Sequence, residues 1–198
     1  MPELPEVETI RRQLEPLIVG KTIVGVEVLN PKSFGGDEGE LAGKIITGIV
    51  RKGKVLILSL RSNYKLFIHL KMSGQLRYRY FKISISSSPD NRHLRVLFKF
   101  SNGDCLEFHD QRKFGWITDN PAVLPMGIDA LDPKLTPKIL AEILSSSNRP
   151  IKTILLDQSK IAGIGNIYAS EILWEAGISP WAKFKEEGRR KKEEGGKN

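Results

Sequence analysis

The chain has 198 residues, 40% of them hydrophobic and 27% charged, with a net charge of +8. That length and apolar content suit one domain with its own core, or one domain with a small companion, and no stretch approaches the roughly 18 consecutive apolar residues of a membrane span. Cys105 is the only cysteine, which excludes an internal disulfide and any multi-cysteine zinc site; without a basic, apolar-cored export signal at the N-terminus, the expected compartment is the cytoplasm.

Glu6 to Ile18 is predicted as a helix, because Val7, Ile10, Leu14 and Leu17 recur at spacings of three and four, Pro5 suits a first turn and Gly20 lies just beyond. From Thr22 to about Thr118 the pattern alternates instead. Strands are expected at Thr22–Leu29, Val55–Leu60, Leu66–Leu70, Gln75–Phe81, His93–Phe100 and Cys105–His109. Arg61-Ser62-Asn63 and Ser101-Asn102-Gly103 are short enough for hairpin turns, and Ser84–Asn91 reads as a longer polar loop. An antiparallel sandwich or barrel follows from this order. Pro121 to Pro133, rich in Pro and Gly, marks a boundary, so the expected division is 1–120, 121–182 and a tail from 183. Helical spacing returns at Pro137–Leu144, Ile151–Leu156 and Ile167–Ala176, with Ala162-Gly163-Ile164-Gly165-Asn166 as a tight connector. Lys183 to Asn198 lacks apolar periodicity and is expected to be a disordered basic tail.

The charge is uneven: residues 51–113 hold fourteen Lys/Arg against four Asp/Glu. A basic middle suits a polyanion, since neutralised phosphates release counterions; composition alone serves a solvated face equally well. At the start, Met1-Pro2-Glu3-Leu4-Pro5-Glu6 offers two readings. Removal of Met1 would leave the secondary amine of Pro2, with the α-amino reference pKa near ~8, as a nucleophile at neutral pH. Glu3 and Glu6 would then carry protons. The plainer reading is a helix start with acids at the positive end of its dipole. Near the other end, Gly163 and Gly165 allow close backbone approach to a phosphate at a helix N-terminus, where Asn166 adds a donor; a helix connector would also use glycine.

Five ordered blocks decide between these readings: Pro2-Glu3-Leu4-Pro5-Glu6-Val7-Glu8-Thr9; Arg51-Lys52-Gly53-Lys54; His69-Leu70-Lys71-Met72-Ser73-Gly74; Asp110-Gln111-Arg112-Lys113-Phe114-Gly115; and Leu155-Leu156-Asp157-Gln158 running on to Ala162-Gly163-Ile164-Gly165-Asn166-Ile167-Tyr168-Ala169. Together they resemble formamidopyrimidine-DNA glycosylases over about 180 residues. The resemblance implies an α+β fold: an N-terminal helix and antiparallel β-sandwich, followed by a truncated helix-two-turn-helix module. It implies a glycosylase and abasic-site lyase for oxidised purines in double-stranded DNA. Pro2 would be the Schiff-base nucleophile, Glu3 its acid, Glu6 a supporting acid, and Lys54 an aid to elimination that contacts phosphate. Met72, Arg112 and Phe114 would fill the gap left by a flipped nucleotide. His69, His93, Lys113, Lys152, Gly165 and Asn166 would contact DNA.

The same resemblance implies a further helix, a loop over the flipped base and a four-cysteine zinc finger. One cysteine cannot build that finger, so no metal site and no cofactor are expected, and β-elimination is expected rather than the second, δ, step. A narrower lyase acting only on abasic sites, or a damage-binding module without chemistry, are the competing expectations. An RNA-binding module is disfavoured, since Tyr78 and Tyr80 form no recognition consensus. The protein is expected to act as a monomer at the nucleoid.

Overall fold

The computed structural model describes residues 1–81 and 91–184, so that most of the loop expected at Ser84–Asn91 and of the tail expected from Lys183 lies outside the described residues. The chain forms two compact units, Met1–Leu124 and Pro125–Asn198.

In the first unit, α1 (Leu4–Ile18) starts two residues earlier than its apolar spacing indicates. The reason is a capping box: the Glu6 carboxylate accepts from the Glu3 N–H at 2.8 Å, while the Glu3 side chain accepts from the Glu6 N–H. Two sheets follow. One orders β1 (Ile23–Val28), β7 (Leu94–Phe100), β8 (Cys105–Asp110) and β6 (Gly74–Arg79), all antiparallel. The other orders β2 (Phe34–Gly35), β9 (Trp116–Thr118), β5 (Tyr64–His69), β4 (Val55–Leu60) and β3 (Ile46–Lys52). Its pairings are antiparallel except β2 with β9, a parallel contact of two residues. Val7, Leu14 and Ile18 of α1, Leu56, Leu58 and Ile68 of one sheet and Val96, Phe98 and Phe108 of the other share a single core. Burial of each such side chain contributes about 1.5–3 kcal/mol.

Two departures from the alternating pattern have physical causes. The strand β3 has no alternating signature because a bulge between Ile46 and Gly48 brings Ile46 and Ile49, three apart, to the same buried side. The run Val55–Leu60 is apolar nearly throughout because β4 is covered on both faces. Leu56, Leu58 and Leu60 enter the inter-sheet core, while Val55 and Ile57 meet Phe67, Trp116, Val123 and Leu124. That second cluster is also why the first unit runs on to Leu124, past the proline at 121.

The second unit packs α2 (Pro137–Ser145), α3 (Ile151–Leu155) and α4 (Asn166–Glu175) around Leu144, Ile151, Ile154, Leu155, Ile161, Ile164, Ala169 and Leu173. Thr136 caps α2 by accepting from the Ile139 N–H at 3.3 Å. The unit is not purely helical as its spacing suggests: β10 (Ile128–Asp129) pairs in parallel with β11 (Ile161–Ala162). Pairs this short carry no periodicity. Gly127 is required there, since a Cβ would lie 2.7 Å from the Gln158 carbonyl oxygen.

Candidate active site and nucleic-acid interface

The N-terminal end of α1 is an unusual place for charge. Pro2 is half-buried immediately before the helix, and Glu3 is buried at its N-cap. Lys54, in the turn between β3 and β4, is only 8% exposed. Burial pushes its ammonium below the usual lysine range; Glu3 opposes that shift and Lys71 adds to it. Glu3, which follows Pro2 in the chain, and Lys54 are thus two buried titratable groups that act on each other electrostatically.

The turn carrying Lys54 is tied back to the same helix. Glu8 receives Arg11 at 3.0 Å and Arg12 at 2.8 Å, and at 3.3 Å it receives Arg51, whose Nη1 donates to the Gly53 carbonyl at 2.9 Å. The Arg11 guanidinium first, then burial in opposition, then Arg12 and Arg51 set the Glu8 carboxyl at about 2. Sequence patterning gave no sign of this tie, because Glu8 and Arg51 are 43 residues apart; only their places in two of the quoted blocks hinted at it.

His69, at the end of β5, accepts from the Lys71 N–H at Nδ1, 2.9 Å away, which leaves the proton of the neutral ring on Nε2. Burial, then the charges of Lys71 and Lys54, lowers its pKa to about 4. The ring is therefore a neutral donor at physiological pH, tilted against Trp116 with centroids 5.5 Å apart. His93 sits in the short turn Asn91–His93 before β7, with Nδ1 enclosed and no hydrogen-bonding partner for that atom among the described residues.

Beyond His69 the surface changes character. Met72 is 49% exposed and Phe114 58%, although apolar side chains of this size are more often buried. Arg112 reaches the Met72 sulfur at 3.2 Å, so the aliphatic thioether and the planar cation stand together. Lys113, next to them, is exposed with φ +60°. An exposed thioether in contact with a guanidinium, with an exposed phenyl ring two residues further along the same loop, has the chemistry to enter a base stack.

In the second unit, Gln158 shapes the glycine turn. Its Nε2 donates to the carbonyls of Leu156 and Ile164 at 3.0 and 2.8 Å, and its Oε1 accepts from the Gly163 N–H at 2.9 Å. Gly163 takes φ +111°, Gly165 is buried at the N-cap of α4, and Asn166 is exposed as the first helical residue. The N-terminus of α4 therefore carries a donor side chain at the positive end of its dipole. Lys152 donates to Ser170 Oγ at 3.0 Å and joins α3 to α4. Its ammonium already has an internal acceptor. Among the described residues no group of three or more His, Cys, Asp or Glu is placed to hold a metal ion.

Comparison with known proteins identifies the class, a DNA glycosylase, and the family. Residues 1–117 match the formamidopyrimidine-DNA glycosylase N-terminal domain, and residues 126–188 match the formamidopyrimidine-DNA glycosylase H2TH domain. The formamidopyrimidine-DNA glycosylase of Moorella thermoacetica is 42% identical over 193 residues, covering 91% of this chain and 69% of the relative. That of Enterococcus faecalis is 41% identical, covering 91% and 67%. Wild-type Lactococcus lactis Fpg bound to DNA with an oxidized pyrimidine superposes with a TM-score of 0.83 at 36% identity, covering 93% of this chain and 72% of that one. The same enzyme bound to DNA with an abasic site gives 0.81 at 36%, covering 92% and 70%. The chain belongs to the formamidopyrimidine-DNA glycosylase family.

Proposed function

We propose that this protein is a base-excision enzyme that removes oxidised purines, 8-oxoguanine and formamidopyrimidines, from duplex DNA and then cuts the strand by β-elimination. The observation that carries this reading is the burial of Glu3, next to Pro2 in the chain, together with Lys54, whose ammonium is electrostatically coupled to Glu3. With Met1 removed, the Pro2 nitrogen attacks C1′ of the damaged nucleotide. The glycosidic bond breaks and the base leaves with its electron pair, taking a proton supplied through Glu3. The sugar ring opens to an iminium, which acidifies C2′. Loss of a C2′ proton then expels the 3′ phosphate by breaking the C3′–O bond, and water releases the proline. Lys54, its charge weakened by burial, assists the proton transfer and meets phosphate; Glu6 fixes the Glu3 backbone.

Met72, Arg112 and Phe114 fill the space of the extruded nucleotide. His69, His93, Lys113 and Lys152 contact DNA around it, and Gly165 with Asn166 binds a backbone phosphate at the start of α4. The enzyme works as a monomer in the cytoplasm, at the nucleoid, with no cofactor.

Borohydride trapping on two labelled duplexes, one with 8-oxoguanine and one with an abasic site, tests the reading. Covalent adducts on both are expected, reduced by about a thousandfold or more, some 4 kcal/mol of barrier, in Pro2→Gly. An adduct only on the abasic duplex would reduce the activity to a lyase. Binding without any adduct would leave a damage-binding module.

A further inference from the structure

Met72 stands on one loop and Arg112 and Phe114 on another, all three exposed, and Met72 and Arg112 touch across the two loops. The reason lies beneath them. Asp110 ends β8 with 0% exposure, and its carboxylate draws donors from both loops. Ser73, in the turn after β5, donates to Oδ1; the Arg112 N–H also reaches Oδ1, at 3.1 Å, and the Gly115 N–H reaches Oδ2 at 2.6 Å. Ser73 Oγ in turn accepts from the Arg112 N–H at 3.0 Å, so one hydroxyl bridges the carboxylate and the neighbouring loop. Arg95, itself buried, donates to the Asp110 carbonyl at 2.8 Å and holds its backbone. Burial alone would raise the Asp110 carboxyl; Ser73 and the N–H groups of Gly115, Arg112 and Phe114 outweigh it and keep the group ionised.

Both loops are pressed close enough to demand glycine. A Cβ on Gly74 would stand 2.4 Å from the Leu70 carbonyl oxygen, and one on Gly115 would stand 2.7 Å from Phe108 Cζ and 3.1 Å from Asp110 Oδ2. A buried carboxylate is tolerated only when its hydrogen bonds are all made, so neither loop can swing away without leaving charge unsatisfied.

We propose that Asp110 and Ser73 are positioning residues that lock Met72, Arg112 and Phe114 into one preassembled wedge, so that ordering the two loops costs nothing when the duplex is opened. This inference rests on the proposed function above for the wedge's target, and it assigns neither residue a contact with DNA. It separates opening the duplex from chemistry on the sugar. A single strand has no partner base to support and no gap to fill, and its abasic aldehyde needs only the amine.

The test uses the full chain and two readouts. One is the fluorescence of 2-aminopurine placed opposite an uncleavable tetrahydrofuran abasic analogue in a duplex, at saturating protein, which reports entry of the wedge without chemistry. The other is borohydride trapping on an abasic site in duplex and in single-stranded DNA. In Asp110→Asn the fluorescence change is expected to shrink at least about fivefold and duplex trapping at least about tenfold, with single-strand trapping within about twofold of the parent. Ser73→Ala moves the same readouts in the same direction by less, and Ser73→Thr, which keeps the bridging hydroxyl, restores them. Unchanged fluorescence in Asp110→Asn and Ser73→Ala, or a fall in single-strand trapping as deep as in duplex, overturns the inference. So does a parent protein that leaves the probe unaltered. A parent that alters the probe but traps neither substrate removes the proposed chemistry while the wedge is still decided by the fluorescence of the variants.

Discussion

The two units treat polar groups in opposite ways. Every buried polar or charged residue among those described lies in Met1–Leu124: Glu3, Ser33, Lys54, Arg95, Asp104, His109 and Asp110. The second unit buries aliphatic side chains, packs Tyr168 and Phe184 against them, and leaves Trp174 and Trp181 outside. Reactive chemistry needs groups taken out of water, where neighbouring charges and burial can move their proton affinities. Holding a backbone needs the reverse, donors left at the surface. The proposed chemistry therefore draws on buried groups of the first unit, and the proposed phosphate contact on the exposed start of α4 in the second.

The comparison is sharpened most by His69. Its pKa falls from 6.5 to about 4, so the unfolded chain takes up a proton that the folded one refuses. The stability this neutral ring supplies is full above about 6.5 and is lost as pH falls towards 4, by at most about 3 kcal/mol. Denaturant melts of the parent and His69→Asn across that window should converge at low pH; parallel curves would show that the ring's burial carries no linkage.

Lys54→Met comes next, and its two effects have opposite signs. A lysine with a depressed pKa is a charge the fold disfavours at any pH below its ordinary value, so removing it raises the melting temperature at neutral pH. Turnover on an abasic duplex should fall about tenfold or more at the same time. A variant that loses both stability and activity would place Lys54 in the framework instead of the chemistry.

Asn166→Ala tests the second unit. Duplex affinity should weaken roughly fivefold, about 1 kcal/mol, while the single-turnover rate at saturating protein stays level. A changed rate would erase the division between reaction and grip. The smallest effect belongs to Glu8→Gln, which loosens the turn of Lys54. Because the Glu8 carboxyl is depressed from 4.5 to about 2, its contribution is present above 4.5 and disappears as pH falls through 2. The group is partly in solvent, so thermal melts should show a shift of only a few tenths of a kcal/mol at neutral pH.

Much of this was legible before the fold. The helix at residues 6–18 announced itself by spacing, and so did the strands at 55–60 and 105–109, because each has at least one face in a continuous core. The five blocks located the candidate site. What stayed hidden has a common cause: β3 is bulged, β2, β9, β10 and β11 are two or three residues long, and such elements exist only through a neighbour distant in sequence.

From sequence alone, then, came the family, the order of helix, sheet and helical module, and the candidate reactive proline, since these reside in local pattern and residue type. Tertiary structure decided the state of each group. Met72 and Phe114, which apolar character would send inward, are exposed on loops joined through a carboxylate and a hydroxyl 37 residues apart. Lys54 and His69, which composition would leave charged or half-charged, are buried where the charged form is disfavoured. Burial and partners are properties of the packed chain, and they set which groups are charged and which are exposed.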